Sequence, residues 1–162
     1  MHSSNNIYGD AHLNHHKNTD KNMTLMNRER LEYKKNGDLE NLIFEPLEMT
    51  ILLILVYCFS YLFYIFTPVK LNKYFIILLP FIYYIYVLMI WNSIHPYIHN
   101  KCGRDYTIFS LPCNITEYIA KNSSFLQWLI ENHKKHHIYK GEKKGNWNVS
   151  LPGPDFIYNT YN

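Results

Sequence analysis

Eight of the nine histidines stand in three short boxes. HLNHH contributes His12, His15 and His16, HPYIH contributes His95 and His99, and HKKHH contributes His133, His136 and His137. In HxxHH the first imidazole lies three and four positions from the others, so on a helix all three project from one face, with Cβ atoms about 5–6 Å apart. HPYIH is an i, i+4 pair with the same property. At this histidine frequency chance supplies on the order of 0.03 copies of HxxHH in such a chain, so two copies call for a chemical reason.

Neutral imidazole is a ligand for zinc, copper, iron and nickel. A structural zinc favours cysteine together with histidine, whereas these boxes contain no cysteine. Eight imidazoles, or nine with His2, are enough for two metal ions. No ExxH arrangement accompanies them, which sets aside the soluble di-iron carboxylate bundle, and HExxH, the zinc-protease helix, is absent. Zinc has no redox chemistry, so a redox metal pair beside a lipid layer points to oxygen chemistry on a lipid C–H bond. The plainer reading is a solvated histidine surface or an adventitious metal site.

The elements that must position the boxes are apolar. MTILLILVYCFSYLFYIF, residues 49–66, carries no charge, and eighteen residues at 1.5 Å each give roughly 27 Å, close to the hydrocarbon thickness of a bilayer. After TPVKLNK, residues 74–94 are uncharged again, with Trp91 placed as an interfacial anchor. Pro80 falls inside this second stretch, where a kink is tolerable. Pro96 cannot donate to Asn92, so the helix is expected to end or bend there, with His95 at a new helix start. The alternative is a pair of buried core helices. Length and lack of charge favour two membrane spans.

The expected fold is therefore all-α, an integral membrane protein with a two-helix hairpin and a helical, histidine-rich metal-binding cap. It forms one domain over residues 1–162. Residues 1–46 hold the first HxxHH, 47–66 and 74–94 form the spans, and 95–162 hold HxxxH and the second HxxHH. Lysine and arginine concentrate in the flanks while the connector has only Lys70 and Lys73, so the positive-inside rule puts both termini in the cytosol of a multi-pass protein. In a eukaryotic cell this would be the endoplasmic reticulum membrane. On this topology the sequons at Asn22, Asn114, Asn122 and Asn148 never meet the glycosylation machinery. All three boxes then share one side of the membrane.

The rest of the composition mainly excludes. The first forty-odd residues are polar, with no apolar core of a cleavable signal peptide. Sixteen basic against thirteen acidic residues, a net charge of +3, leave no nucleic-acid footprint. The three cysteines, Cys58, Cys102 and Cys113, form no CxxC and are expected as buried or free thiols in a reducing compartment.

The boxes resemble the fatty acid hydroxylase/sterol desaturase superfamily of integral-membrane, histidine-rich di-iron enzymes. The resemblance is most specific in NHKKHHIYKGEKKGNWNVSLPGPDFIYNT, which is similar to the family's last HxxHH with its Ser-x-Pro and Asp-x-Ile-Phe-Gly-Thr tail. Asn148, Ser150, Leu151, Pro152, Asp155 and Thr160 match that tail, while Asn159 stands where the family usually has Gly. GDAHLNHHKNTD looks like the middle box and WNSIHPYIHN like the box after the hairpin. The resemblance implies metal ligation by His12, His15, His16, His95, His99, His133, His136 and His137. It also implies a further HxxxH box upstream, of which His2 would be the second histidine, with its partner and the preceding helices lying before Met1.

By this resemblance the chain holds two iron ions and uses O₂ with electrons from NAD(P)H, delivered by a donor protein such as cytochrome b5, to hydroxylate or desaturate a fatty acyl or sterol lipid. Its partners would be the bilayer, the lipid substrate and the electron donor, with no nucleic acid. Two readings from other classes stand beside it: a non-catalytic, truncated remnant that keeps a metal-stabilised fold, and a membrane anchor with a histidine metal site.

Overall fold

The computed structural model describes residues 15–24, 43–68, 72–138 and Ile157. His2, His12, Asn148 and the matched tail residues Ser150, Leu151, Pro152, Asp155 and Thr160 lie outside the described residues. Among the described residues the regular elements are all helical.

Helix α1 runs over Pro46–Phe66. Pro46 occupies the first turn, where its missing N–H costs nothing, and Glu48 reaches back to accept the Glu45 N–H at 2.8 Å in a capping box. The helix stops at Thr67, ahead of Pro68. Met49 and Ser60 are its buried residues, and the Ser60 hydroxyl donates to the Val56 carbonyl at 2.7 Å, so it adds no unsatisfied polar group to an apolar helix. Large side chains such as Ile54, Phe59 and Phe66 face outward.

Helix α2, Phe75–Tyr86, returns antiparallel to α1 and passes through Pro80 without breaking. A π-helical stretch, Val87–Ile94, continues it into α3, His95–Ile98. The wider turn has a local cause. Pro96 has no N–H and its ring would press on the carbonyl of residue 92, and one π register relieves that clash. Ser93 Oγ donates to the Leu88 carbonyl at 2.6 Å, five residues back, in keeping with that register. The helical run does not end at Pro96 but is rewound before it, and a new short helix starts at His95. Both Pro46–Phe66 and the run Phe75–Ile98 are long and apolar enough to cross a membrane. Their outward-facing apolar side chains are unlike those of core helices in a soluble protein.

A helical head is built on the end of the hairpin. Helix α4, Cys113–Asn122, turns at Ser123 into α5, Ser124–Ile138. Ile90, Ile94 and Ile98 from the π stretch and α3 pack against Ala120, Leu126 and Leu129 from α4 and α5, and Met23 closes the cluster. The loop between α3 and α4 is pinned at two places. Cys102 and Cys113 are disulfide-bonded, with Cα atoms 5.6 Å apart. This corrects the expectation of free thiols for that pair, because the α3–α4 loop folds back and returns its two ends to one point. Cys58 is free and exposed. At Gly103 a Cβ would run into the Asn92 carbonyl oxygen, so only glycine allows the loop to lie against the π stretch.

Candidate metal centre

Each histidine is placed by a different element. Helix α5 carries His133, His136 and His137 at i, i+3 and i+4, with His133 and His136 buried by the same face that buries Leu126 and Leu129. His95 lies at the start of α3, and His99 follows directly after it. His15 and His16 stand in a single helical turn that the chain folds onto the head. Seven boxed histidines are therefore drawn into one cluster of touching rings.

Four of them form its centre. One ligand nitrogen from each of His15, His99, His133 and His137 lies within 4.8 Å of the other three. His99 Nε2 and His133 Nε2 are 3.0 Å apart, and His137 Nε2 and His133 Nε2 are 3.1 Å apart. Nitrogens bound to one metal at about 2.0–2.1 Å sit about 3.0–3.4 Å from each other, so the His99–His133 and His133–His137 separations match those of a coordination shell, within a group whose donor atoms all lie within 4.8 Å. The His15 ring stands 4.5 Å from His99 and 5.1 Å from His137. His16 and His136 make a second pair beside it, with Nε2 atoms 3.0 Å apart, and His16 stacks on His137 at 4.1 Å. His95 lies among the rings, 4.8 Å from His133 and 5.3 Å from His15, backed by Trp91 at 4.8 Å.

The orientation of His99 is set from behind. Its Nδ1 donates to the Met23 carbonyl at 3.0 Å, which leaves the Nε2 lone pair directed into the cluster. Met23 supplies that carbonyl from a left-handed backbone, φ 65°, which an L-residue adopts at a cost of order 1 kcal/mol. Asp20 holds the turn by accepting the Asn22 and Thr24 N–H groups at 2.9 and 2.7 Å. Asn100, also left-handed at φ 57°, ties it to α3 by donating to the Asn22 carbonyl and the Thr24 hydroxyl.

Burial decides the charge state. Desolvation holds His133 and His15 well below the ordinary imidazole range, with the neighbouring histidines adding to the effect. Burial lowers His99 to about 4 against the opposing bond from Met23, and His137 is depressed by burial and then by His16. His99, His133 and His137, neutral and with Nε2 atoms 3.0–3.1 Å apart along the chain of three, place lone pairs against one another unless protons or a cation lie between them. The all-nitrogen donor set therefore fits a borderline transition metal, and His15, His99, His133 and His137 could hold one ion.

Of the positions singled out in the sequence, His15, His99, His133 and His137 form the compact donor group, while His16, His136 and His95 surround it. Pattern reading did not find the Met23 carbonyl or the Asn92 clamp. Asn92 did carry a signal, as a polar residue within an uncharged run. Its fully buried amide accepts from Phe44 N–H at 2.7 Å and donates to the Phe44 and Phe109 carbonyls, both at 3.0 Å. Comparison with family models, curated proteins and solved structures found no match for this chain.

Proposed function

We propose that this chain is a membrane-embedded, histidine-ligated di-iron oxidoreductase that hydroxylates or desaturates a lipid with O₂. The observation that supports this reading is the convergence of His15, His99, His133 and His137 in a buried, neutral, all-nitrogen group at one end of a hairpin with two membrane-length helices. The first ion belongs in that group, and His16 with His136 offers the start of a second site, to which His12 and His2 are candidates to add. Bound iron supplies the activation of O₂ and the electron transfers that C–H oxidation needs. In hydroxylation the balance is R–H, O₂, two electrons and two protons giving R–OH and water, with the electrons drawn from NAD(P)H through a donor protein such as cytochrome b5.

The chain's own residues have three tasks. Met23, through His99, keeps a donor lone pair aimed inward. Burial keeps the imidazoles neutral and so competent as ligands. The outward-facing apolar hairpin brings a lipid to the same end of the molecule as the donors. The basic flanks put the head and both termini in the cytosol, with the endoplasmic reticulum as the membrane in a eukaryotic cell, where a cytosolic electron donor has access.

A second reading has its own support. The space beside His95 and His133 amounts to about 10 Å³, walled by Ile90, Ile94, Ile98 and Leu129, which is room for roughly one water and not for an acyl chain. This favours a metal-stabilised head without turnover. The two readings separate on metal content and product formation in membranes supplied with fatty acids, ceramides and sterols. Two irons per chain with oxidised lipid support the oxidoreductase. Bound metal without product supports the remnant, and no tightly bound metal removes both.

A further inference from the structure

A second cavity lies away from the histidines, where α1 begins. It encloses about 310 Å³ between the residues leading into α1 and the loop that follows α3. The segments that form its walls are tied together. The buried Asn92 amide grips Phe44 on one side and Phe109 on the other, while the Cys102–Cys113 disulfide and the Gly103 contact fix the loop in between. The cavity is thus a built feature of the head rather than a gap between loose segments.

Its lining carries both signs of charge. Glu45 stands on the α1 side and Arg104 on the loop side, and Tyr106 also lines the wall. Glu45 and Arg104 take no part in the ion pairs Lys121–Glu117 and Lys134–Glu131, and the two share the cavity without closing on each other. Arg104 is anchored by donating to the Ile108 carbonyl at 2.7 Å, which leaves its other guanidinium N–H groups available, and Ile108 itself is exposed beside the opening. An arginine suits a phosphate. A carboxylate with a tyrosine ring suits an ammonium or trimethylammonium group.

The geometry points to a binding site for the zwitterionic headgroup of a phospholipid, with its phosphate on Arg104 and its ammonium between Glu45 and Tyr106. The inference rests on the membrane reading of the hairpin, which places the start of α1 at the lipid–water boundary. The same helix offers a seat for the tails. An apolar groove of about 530 Å³ between α1 and α2 begins at Leu53 and Ile54, roughly 10 Å along the helix from Pro46.

The test uses the full chain in vesicles of equimolar phosphatidylcholine and phosphatidylglycerol, extracted into mild detergent, with retained lipid quantified by mass spectrometry. Phosphatidylcholine should be enriched at least fivefold over the vesicle ratio. Arg104→Gln and Glu45→Gln should each bring the enrichment close to one, with helicity by circular dichroism unchanged, since both replacements keep the local hydrogen-bonding capacity. No enrichment in the parent chain, or undiminished enrichment in both variants, overturns the assignment. Glycerophosphocholine, the headgroup without tails, should compete only at far higher concentration, and competition at equal concentration would assign the cavity to a soluble zwitterion instead. Resistance to alkaline extraction is read in parallel. A chain released by it has lost the membrane reading itself, whereas a chain that stays embedded but retains no preferred lipid has lost only this inference.

Discussion

His99 Nδ1 donates to the carbonyl of Met23 across 3.0 Å, and that bond joins the N-terminal histidine turn to the helix leaving the apolar hairpin. It fixes which His99 nitrogen is free to bind metal, and it depends on a left-handed Met23 held by the Asp20 side chain. Replacing Asp20 by Ala removes both acceptor bonds without touching a ligand. Metal affinity measured by chelator competition should fall about 10–100-fold, and an unchanged affinity would show that the Met23 turn is held by something else.

Removing ligands should act more steeply. His133→Ala or His137→Ala deletes a donor from the central group of four. Either variant should purify with less than half the metal of the parent chain by elemental analysis. His16→Ala, outside that group, should retain the first ion, so equal losses in all three would contradict the division into a centre and a flanking pair.

The buried imidazoles make metal retention and stability depend on pH in a defined direction. His99 titrates near 4 in the folded chain and near the ordinary 6.5 when unfolded, so the unfolded state binds more protons between these values. The stabilising contribution is complete above about 6.5 and is lost as pH falls toward about 4. His15, His133 and His137 shift the same way. Thermal melts of the metal-free chain should be flat from neutral pH upward and drop steadily below pH 6.5. A rise in stability on acidification would reverse the sign argued here.

Asn92 is the clamp whose loss should be felt most in the fold. Asn92→Leu leaves the Phe44 N–H and the Phe44 and Phe109 carbonyls without their partner. At about 1–3 kcal/mol for each unsatisfied buried group, partly relieved by water, the cost should be about 2–4 kcal/mol. Denaturant titration of helicity in detergent measures it, and a change below 1 kcal/mol would show that the loops are held elsewhere.

Disulfide and topology can be tested together. Opening Cys102–Cys113, a separation of 11 residues, should destabilise the head by about 3 kcal/mol. Thiol alkylation of the unreduced chain, denatured in detergent so that the span is accessible, should modify Cys58 alone. Disulfides persist mainly in oxidising compartments, whereas the basic flanks argue for the cytosol. With a cytosolic head, Asn22, Asn114 and Asn122 should carry no glycan in a eukaryotic membrane. A glycosidase-sensitive mass shift would place the head on the opposite face.

Much of the architecture was legible because it is written locally. Charge-free runs of membrane length specify helices whatever surrounds them, and a proline at position 96 announces a disturbance of the helix before it. Histidines at i, i+3 and i+4 must share a face, which is why HKKHH could be read as a cluster from five residues. The sequence could not say which nitrogens meet. His15 and His133 are far apart along the chain, and their approach depends on the close packing of Met23 and Ile94 with Leu129, a sum of many weak contacts with no local signature. Likewise, spacing alone left Cys102 and Cys113 as two thiols, and only the folded α3–α4 loop, with Gly103 lying against Asn92, brings their sulfurs into one bond. Periodicity determines the faces that residues share. Tertiary packing decides which faces meet and therefore where lone pairs converge.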